Sequence, residues 1–305
     1  MPVITDKRTD ISESDEQEIA TTLQYLLMNE IFSNSRWRAP HAVFHGGTAL
    51  SMLHDTGRWS EDLDFMIDEE LFATLEKTMA NAAERLQILA RKIYPDCQID
   101  LNGPKGKTEV KAWYFGWTHP NKYGKVRVKT EFLPKPTDLL RGYKTVQVIP
   151  VGSSLLPVAI TSFVHGPQLI SSWADKIIAM SQRPYFKWRD VYDLWFLDTR
   201  MKALSSAKDT NIRTPYPSDD EFLKALEATA SIYGKTPDDV RIGLEVLLSK
   251  NIFDDADGYK KDIAKWLPEE VKSNDQLLEL HRTVAKHEIE RVLTVILENA
   301  ETPRP

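Results

Sequence analysis

The sequence predicts an α+β protein in which a sheet with flanking helices is followed by a helical domain. Between residues 98 and 151 apolar and polar residues alternate, which is typical of half-buried strands. From residue 171 onward apolar residues recur at helical spacing, which is typical of helices packed on one face. We therefore expect a first domain over residues 1–160 and a helical domain over residues 161–305.

The elements before residue 98 follow from local signals. The segment that ends at Tyr94 is rich in Ala, Leu and Glu with its leucines on one face, and Pro95 ends it because proline cannot continue a helix. Short apolar runs before Gly46 and around Phe65 are strand candidates. In order, we expect a helix near 14–32, a strand near 42–45, a helix near 48–54, a strand near 62–67 and a single helix over 69–94.

The remaining elements are antiparallel strands and then helices. Turns rich in Gly, Pro and Asn join the strands, up to a last strand near 145–151. Two helix starts carry a capping pattern, Ser218 with Glu221 and Thr236 with Asp239. The helices are expected near 173–182, 187–199, 218–232, 237–250 and 274–299.

Size and composition are ordinary for a soluble globular protein. Of the 305 residues, 42% are hydrophobic and 28% are charged. The chain has no apolar run of membrane-spanning length and begins with a polar, acidic segment, so we expect no membrane span, no signal peptide and a cytoplasmic location. The single cysteine, Cys97, agrees with a reducing compartment, and no zinc spacing of Cys and His is present.

A Gly-Gly pair marks the first candidate site. Gly46 and Gly47 stand between an apolar run, Ala42 to Phe44, and a helix-forming run that begins at Thr48. This is the pattern of a strand-to-helix turn, where backbone N–H groups can face a phosphate. An ordinary glycine turn without a ligand is the alternative.

Two aspartates follow this turn. Asp62 and Asp64 flank Leu63 in a predicted strand, so both carboxylates lie on one face. Two residues along a strand span about 6.6 Å, and at that separation two negative charges repel by roughly 2–3 kcal/mol. A divalent cation would offset this repulsion, and Mg²⁺ binds through one or two carboxylates together with substrate phosphates. The alternative is a solvated acidic strand end.

A third carboxylate could come from a neighbouring strand. Glu131 stands in a Thr-Glu-Phe sequence within the alternating segment, which makes it a candidate third metal ligand. Its strand is rich in lysine, so Glu131 could equally be a cross-strand ion-pair partner.

The segment from Gly103 to Lys144 is basic, with ten lysines and arginines against three acidic residues. Aromatic residues are interleaved with these cations. Cations and rings together are the composition of surfaces that bind RNA. Alternatively, the rings belong to the core and the lysines to a solvated sheet face. These interleaved rings include Trp113, Tyr114, Phe115, Trp117, Tyr123 and Tyr143.

A second cluster lies more than a hundred residues later. Lys176 and Arg183 are seven residues apart on one predicted helix, and both could reach a triphosphate. Asp190 and Asp193 are three residues apart on the next helix, where one could orient Lys176. Two helices held together by a salt bridge such as Lys176 to Asp190 are the alternative.

These motifs, in this order, resemble the AbiEii/AbiGii nucleotidyltransferase toxin family, which includes the MenT toxins. The resemblance covers roughly residues 40–200 and rests on four segments: Gly46-Gly47-Thr48-Ala49-Leu50, Arg58-Trp59-Ser60-Glu61-Asp62-Leu63-Asp64-Phe65, Lys176 to Arg183, and Arg189-Asp190-Val191-Tyr192-Asp193-Leu194. It implies a polymerase-β-like nucleotidyltransferase core with a mixed sheet, a helical C-terminal domain, and membership of a toxin–antitoxin or abortive-infection system with a cognate antitoxin.

The resemblance also implies roles for matching residues. Asp62, Asp64, Lys176 and Asp190 are expected to be catalytic, Asp62 and Asp64 also as metal ligands, and Gly46, Gly47, Thr48, Ser60, Lys176 and Arg183 to bind the nucleotide. Glu131 as a third metal ligand rests on its strand position alone. The two clusters are then expected to fold against each other into one site.

We therefore expect a nucleotidyltransferase that uses Mg²⁺ or Mn²⁺ to move a nucleoside monophosphate from an NTP to an acceptor hydroxyl. The resemblance and the basic aromatic segment favour the 3′ end of tRNA as acceptor. Transfer to a protein or a small molecule is an alternative, and a non-catalytic subunit that binds nucleotide or RNA is another. A P-loop kinase is disfavoured because the sequence has no G-x-x-x-x-G-K-[ST] motif.

Overall fold

Strands and helices alternate in the first part of the chain, and helices follow in the second. The computed structural model describes residues 8–33, 36–105, 109–151 and 162–301. The strands are β1 (Thr9–Asp10), β2 (Ala42–His45), β3 (Asp62–Ile67), β4 (Gln98–Lys105), β5 (Lys111–Thr118), β6 (Lys122–Tyr123), β7 (Val126–Pro134), β8 (Thr145–Val148) and β9 (Val164–Pro167). The helices are α1 (Glu13–Phe32), α2 (Gly46–His54), α3 (Glu69–Ala73), α4 (Leu75–Ile93), α5 (Thr137–Gly142), α6 (Leu169–Gln182), α7 (Trp188–Ser205), α8 (Asp219–Ile232), α9 (Pro237–Ser249), α10 (Ala256–Ile263), α11 (Glu269–Lys272) and α12 (Asp275–Glu301). The predicted α+β class is confirmed.

The chain divides into two compact units, and neither unit is one continuous segment. The first comprises the described residues of Met1–His54, Trp59–Leu140 and Gln147–Gly166. The second comprises the described residues of Asp55–Arg58, Arg141–Val146 and Pro167–Pro305. The first unit contains the sheet, and the second is helical.

A five-stranded mixed sheet organises the first unit. Its strand order is β2-β3-β7-β5-β4, and β3 pairs in parallel with β7 while the other neighbours are antiparallel. The parallel pairing aligns Asp62 with Lys129 and Asp64 with Glu131. Because side chains alternate between faces along a strand, these four residues lie on one face of the sheet.

Aromatic rings fill the opposite face. Phe65 and Phe132 stack on neighbouring strands with ring centroids 5.1 Å apart, and Trp37 meets both rings edge-on at 5.8 Å. Helices α1 and α4 pack against each other, α1 against β7 and α4 against β4. The hydrophobic core therefore lies between these two helices and the sheet, so the face that carries Asp62 and Asp64 is not needed for the core.

The long helix expected over residues 69–94 is two helices, because the chain is capped at both ends of α3. The Asp68 side chain accepts from the Leu71 N–H at the start of α3, and Thr74 Oγ1 donates to the Leu71 carbonyl at its end. Side chains that bond nearby backbone groups compete with the helical pattern. Thr74 consequently separates α3 from α4.

The strand expected near 145–151 exists but does not extend the main sheet. It is β8, which pairs with β9 in a separate two-stranded sheet. Periodicity identifies a strand but not its partner, because backbone pairing depends on which segments the rest of the fold brings together.

The second unit is built from packed helices. Helix α6 contacts α7, α8 and α9, and α12 packs along α7. The capping boxes expected at Ser218 and at Thr236 are both present. No helix of the described residues is long and apolar enough to span a bilayer.

Candidate active site

The two aspartates predicted to bind metal share one face of β3. Leu63, Phe65 and Ile67 are fully buried in the core, whereas the Asp62 side chain is 37% exposed. Asp62 and Asp64 lie on the opposite face, as the alternation predicts. Burial raises the pKa of Asp62, and the charge of Asp64 raises it further. A bound cation would stabilise two carboxylates in these surroundings.

The Gly-Gly turn lies against this acid pair. Gly46 is the first residue of α2, directly after β2, and has a φ of +82°. A Cβ atom built on Gly46 would lie only 2.7 Å from Asp64 Oδ2. Only glycine combines this φ with room for the carboxylate. The N-terminus of α2, with Gly47 as its second residue, is therefore next to Asp64.

Thr48 and Ser60 tie α2 to the segment that enters β3. Thr48 Oγ1 lies 2.8 Å from Ser60 Oγ and donates to the backbone carbonyl of Asp62. Gln24 Nε2 donates to the carbonyls of Ser60, at 3.0 Å, and Glu61, at 2.8 Å. Sequence reasoning did not identify Gln24, although a glutamine among the leucines of α1 was the available signal. These buried hydrogen bonds fix the backbone just before the acid pair.

Glu131 lies one strand from the acid pair and is held by Lys129. Lys129 Nζ is 2.9 Å from Glu131 Oε2 and 3.9 Å from Asp62 Oδ2. Burial acts to lower the pKa of Lys129, but Glu131 and Asp62 outweigh it, so the pKa is raised. Glu131 is thus an ion-pair partner of Lys129, which lies on the same strand. Among the described residues no group of three His, Cys, Asp or Glu side chains could hold a metal, so Glu131 as a third ligand stays a prediction.

The six candidate rings of the basic segment divide into two groups. Four are buried: Trp113, Phe115, Trp117 and Tyr143 are 1%, 0%, 2% and 3% exposed. These four belong to the core, as the alternative interpretation expected. The other two, Tyr114 and Tyr123, keep part of their surface in solvent. Alternation along β5 places Tyr114 on the face that carries the acid pair.

The second cluster is a buried ion network within the second unit. Arg58 donates twice to Asp193, from Nε to Oδ1 at 2.6 Å and from Nη2 to Oδ2 at 2.8 Å. Lys176 Nζ is 2.9 Å from Asp190 Oδ1 and 2.7 Å from Asp193 Oδ2. Arg183 was expected on the same helix as Lys176 but follows the last residue of α6, and it pairs with Asp190. Three cations thus share two carboxylates.

The network favours the charged forms of Asp193 and Lys176. Burial acts to raise the pKa of Asp193, but Arg58 and Lys176 outweigh it and lower the pKa to about 2. Burial acts to lower the pKa of Lys176, and the charges of Asp190 and Asp193 more than reverse that effect. The ion pair that the alternative interpretation required, Lys176 with Asp190, is therefore present. Contact of Lys176 with a nucleotide stays a prediction.

Arg58 is the residue of this network that sequence reasoning missed. It is 2% exposed and comes from the segment Asp55–Arg58, far along the chain from its partner Asp193. The available signal was its position four residues before Asp62, inside the motif that carries the acids. Nothing in the spacing paired Arg58 with an aspartate on α7.

The predicted site residues belong to two groups. The first unit contains Gly46, Gly47, Thr48, Ser60, Asp62, Asp64 and Glu131, and the second contains Lys176, Arg183 and Asp190. Within each unit the predicted residues lie together. The expectation that the two groups form one site stays a prediction.

Comparisons with known proteins agree with these motifs. The model of the AbiEii family, nucleotidyltransferase toxins of type IV toxin–antitoxin systems, matches residues 27–280. No curated protein sequence matches the chain significantly. A proposed nucleotidyltransferase of Helicobacter pylori has a similar structure, with a TM-score of 0.50 and 15% identity over 95% of this chain and 99% of that one. At this identity, the similarity supports the fold alone.

Two further structures have TM-scores just below 0.5. JHP933 of Helicobacter pylori has a TM-score of 0.49 with 15% identity over 95% of this chain and 97% of that one. MenT4, a nucleotidyltransferase toxin of Mycobacterium tuberculosis, has a TM-score of 0.47 with 16% identity over 76% of this chain and 89% of that one.

The family match covers most of the chain, including both clusters, and confirms the resemblance drawn from the motifs. It implies a nucleotide substrate and an antitoxin partner. The chain belongs to the AbiEii family of nucleotidyltransferase toxins of type IV toxin–antitoxin systems.

Proposed function

We propose that this nucleotidyltransferase moves a nucleoside monophosphate from an NTP to the 3′-terminal hydroxyl of tRNA and releases pyrophosphate. In this reaction a bond forms between the acceptor oxygen and the α-phosphorus, the α–β phosphoanhydride bond breaks, and the hydroxyl proton is lost. The observation that carries the proposal is the Gly46 turn lying directly against the Asp64 carboxylate, which combines a phosphate-binding turn with an acid pair.

The acid pair fits Mg²⁺ or Mn²⁺. Asp62 and Asp64 supply carboxylate oxygens, which these ions prefer, and two carboxylates suffice when substrate phosphates complete the coordination. The raised pKa of Asp62 supports this fit, because burial and the charge of Asp64 leave negative charge there to be balanced. A divalent cation held by Asp62 and Asp64 supplies charge neutralisation for the phosphates and a lowered pKa for the attacking hydroxyl.

The residues around the acids have separate tasks in this proposal. The backbone N–H groups at Gly46 and Gly47 bind the β- and γ-phosphates, since the first N–H groups of a helix have no intrahelical partner. Thr48 holds Ser60 and the start of β3 in place through its hydroxyl contacts. Ser60, with its hydroxyl 2.8 Å from Thr48 Oγ1, is the proposed phosphate contact beside the acids.

The cations of the second cluster are proposed nucleotide contacts. Arg183 is the one with an accessible guanidinium, 34% exposed, while Lys176 is 8% exposed between its two aspartates. Three cations against two carboxylates leave one excess positive charge, which favours an anionic ligand. In this proposal Asp190 positions Lys176 and Arg183.

Transfer of label from an NTP to RNA tests the proposal. Purified protein is incubated with each α-labelled NTP, Mg²⁺ and deacylated tRNA, and the RNA is resolved on a denaturing gel. We expect labelled tRNA from the wild type and none from Asp62→Asn. The matched control is Asp100→Asn, because Asp100 is an exposed acid on the same sheet that pairs with Lys125 and not with the acid pair.

Three results would contradict parts of the proposal. Full labelling by Asp62→Asn would reject the metal assignment. Label that survives ribonuclease and disappears with protease would replace tRNA by a protein acceptor. Binding of NTP with no transfer to tRNA, protein or small molecules in a cell lysate would reject catalysis in favour of a binding subunit.

A further inference from the structure

The strand order favours one side of the acid pair for the approach of the acceptor. The phosphate-binding turn follows β2, and β2 and β7 are the two neighbours of β3. In phosphoryl and nucleotidyl transfer the attacking and leaving oxygens lie roughly in line. Pyrophosphate leaves on the β2 side if the turn at Gly46 holds it. The acceptor hydroxyl then approaches from the opposite side, across β7 and β5.

That side presents a lysine and a tyrosine in one row across the strands. Asp62 pairs with Lys129, Lys129 pairs with Tyr114, and Tyr114 pairs with Asn102. Neighbouring strands are about 4.8 Å apart, so Tyr114 lies about 10 Å from Asp62 along this row. Lys105 Nζ lies over the face of the Tyr114 ring, 5.4 Å from its centroid.

The surroundings of Tyr114 differ from those of the buried rings on the same strand. Trp113, Phe115 and Trp117 alternate with it and are at most 2% exposed, because they face the core. Tyr114 faces the other way and is partly exposed. An aromatic ring flanked by cations is the arrangement that binds a nucleobase and the adjoining phosphate.

We propose that the terminal base of the RNA acceptor stacks on the Tyr114 ring in place of the Lys105 ammonium, so that Lys105 and Lys129 contact the phosphate backbone. This inference rests on the proposed function, and it adds the acceptor side of the site. A nucleobase could also come from the NTP. Because the attacking and leaving oxygens lie in line, Tyr114 lies on the acceptor side, and the experiment separates the two sources.

Two binding measurements and one kinetic measurement test this assignment. The probes are deacylated tRNA and each NTP with Ca²⁺ in place of Mg²⁺. The variants are Tyr114→Leu, which removes the ring, and Tyr114→Phe, which keeps it. The matched control is Tyr123→Leu, because Tyr123 is likewise an exposed tyrosine with a cation, Arg8, over its ring at 4.1 Å. It lies on β6, which belongs to a separate two-stranded sheet and not to the sheet that carries the acid pair.

We expect Tyr114→Leu to weaken tRNA binding and to raise the KM for tRNA by about 5- to 150-fold, the range of one base–aromatic stack. NTP affinity should stay within about twofold of the wild type. Tyr114→Phe should restore tRNA binding because phenylalanine retains the π face. Tyr123→Leu should bind both probes like the wild type.

Other outcomes would overturn the inference. A Tyr114→Leu protein that loses NTP affinity but keeps tRNA affinity would place the ring on the nucleotide side. A Tyr114→Leu protein with unchanged affinity for both probes would reject the stacking role of Tyr114. Equal losses of tRNA affinity in Tyr114→Leu and Tyr123→Leu would reject it as well. If the wild type labels no tRNA, the proposed acceptor fails as well, whereas wild-type labelling with an unaffected Tyr114→Leu rejects this inference alone.

Discussion

Gly46→Ala is a sharp test of the link between the turn and the acid pair. Gly46 has a φ of +82°, and an added Cβ would lie 2.7 Å from Asp64 Oδ2 and 3.4 Å from Asp64 Cγ. An L-residue at positive φ costs about 1–2 kcal/mol. The backbone at residue 46 cannot move away from Asp64 while it keeps the turn. The Asp64 carboxylate therefore has to rotate away.

The two consequences of this substitution are separable. The φ penalty lowers the free energy of unfolding by about 1–2 kcal/mol. Displacement of a carboxylate by about 1 Å is enough to reduce the transfer rate by about 100-fold. Gly234→Ala is the matched control, since Gly234 also has a positive φ, of +65°, but nothing lies within 4 Å of its would-be Cβ. Gly234→Ala should lose similar stability and keep its activity.

Urea denaturation and the labelling assay measure these effects on the same preparations. Mn²⁺ binding, followed by electron paramagnetic resonance, adds a readout that does not require turnover, and Gly46→Ala should weaken it. Gly46→Ala with wild-type activity and Mn²⁺ affinity would refute the reasoning. So would an equal loss of activity in Gly234→Ala, because the Asp64 contact would then be irrelevant.

Three further predictions concern buried polar contacts. Arg58→Met should lower the free energy of unfolding by about 3–5 kcal/mol in a urea titration, because it leaves the Asp193 charge buried and underpaired. Lys224→Met, which breaks an exposed ion pair, should cost less than about 1 kcal/mol in the same titration. The pKa of Asp193 is lowered from 3.8 to about 2, so its charged carboxylate should stabilise the fold fully above pH 4. On the order of 2 kcal/mol of the free energy of unfolding should be lost as the pH falls toward 2. This loss should be absent in Asp193→Asn. Thr48→Val should lower the free energy of unfolding by about 1–3 kcal/mol and reduce kcat, because the partly buried Asp62 carbonyl loses its donor. An unchanged kcat would show that this hydrogen bond does not position the acids.

The strand with the two aspartates was predictable because its pattern is local. Leu63, Phe65 and Ile67 alternate with Asp62 and Asp64, and alternation alone sends the two sets to opposite faces. The same holds for the capped starts of α8 and α9, where a side chain bonds the backbone three residues away. Such features depend on a few consecutive residues and not on the rest of the fold.

Features that depend on distant segments were not predictable in the same way. Nothing in the composition of residues 103–144 separated Tyr114 from the buried rings beside it until the pairing of β5 with β7 assigned its face. Arg58 is 135 residues from Asp193, so its ion pair has no local signal. The partner of β8 likewise depended on which segments the folded chain brings together.

The sequence by itself determined the order of motifs and therefore the family: a glycine turn, an acid pair, and a later cluster of cations and aspartates. The tertiary structure decided that the turn touches Asp64, that Lys129 lies between Asp62 and Glu131, and that two aspartates in the helical unit hold three cations. The physical reason is the distance along the chain over which each kind of interaction acts. Periodicity and capping act over a few residues, whereas ion pairing, burial and close approach depend on which segments the core brings together.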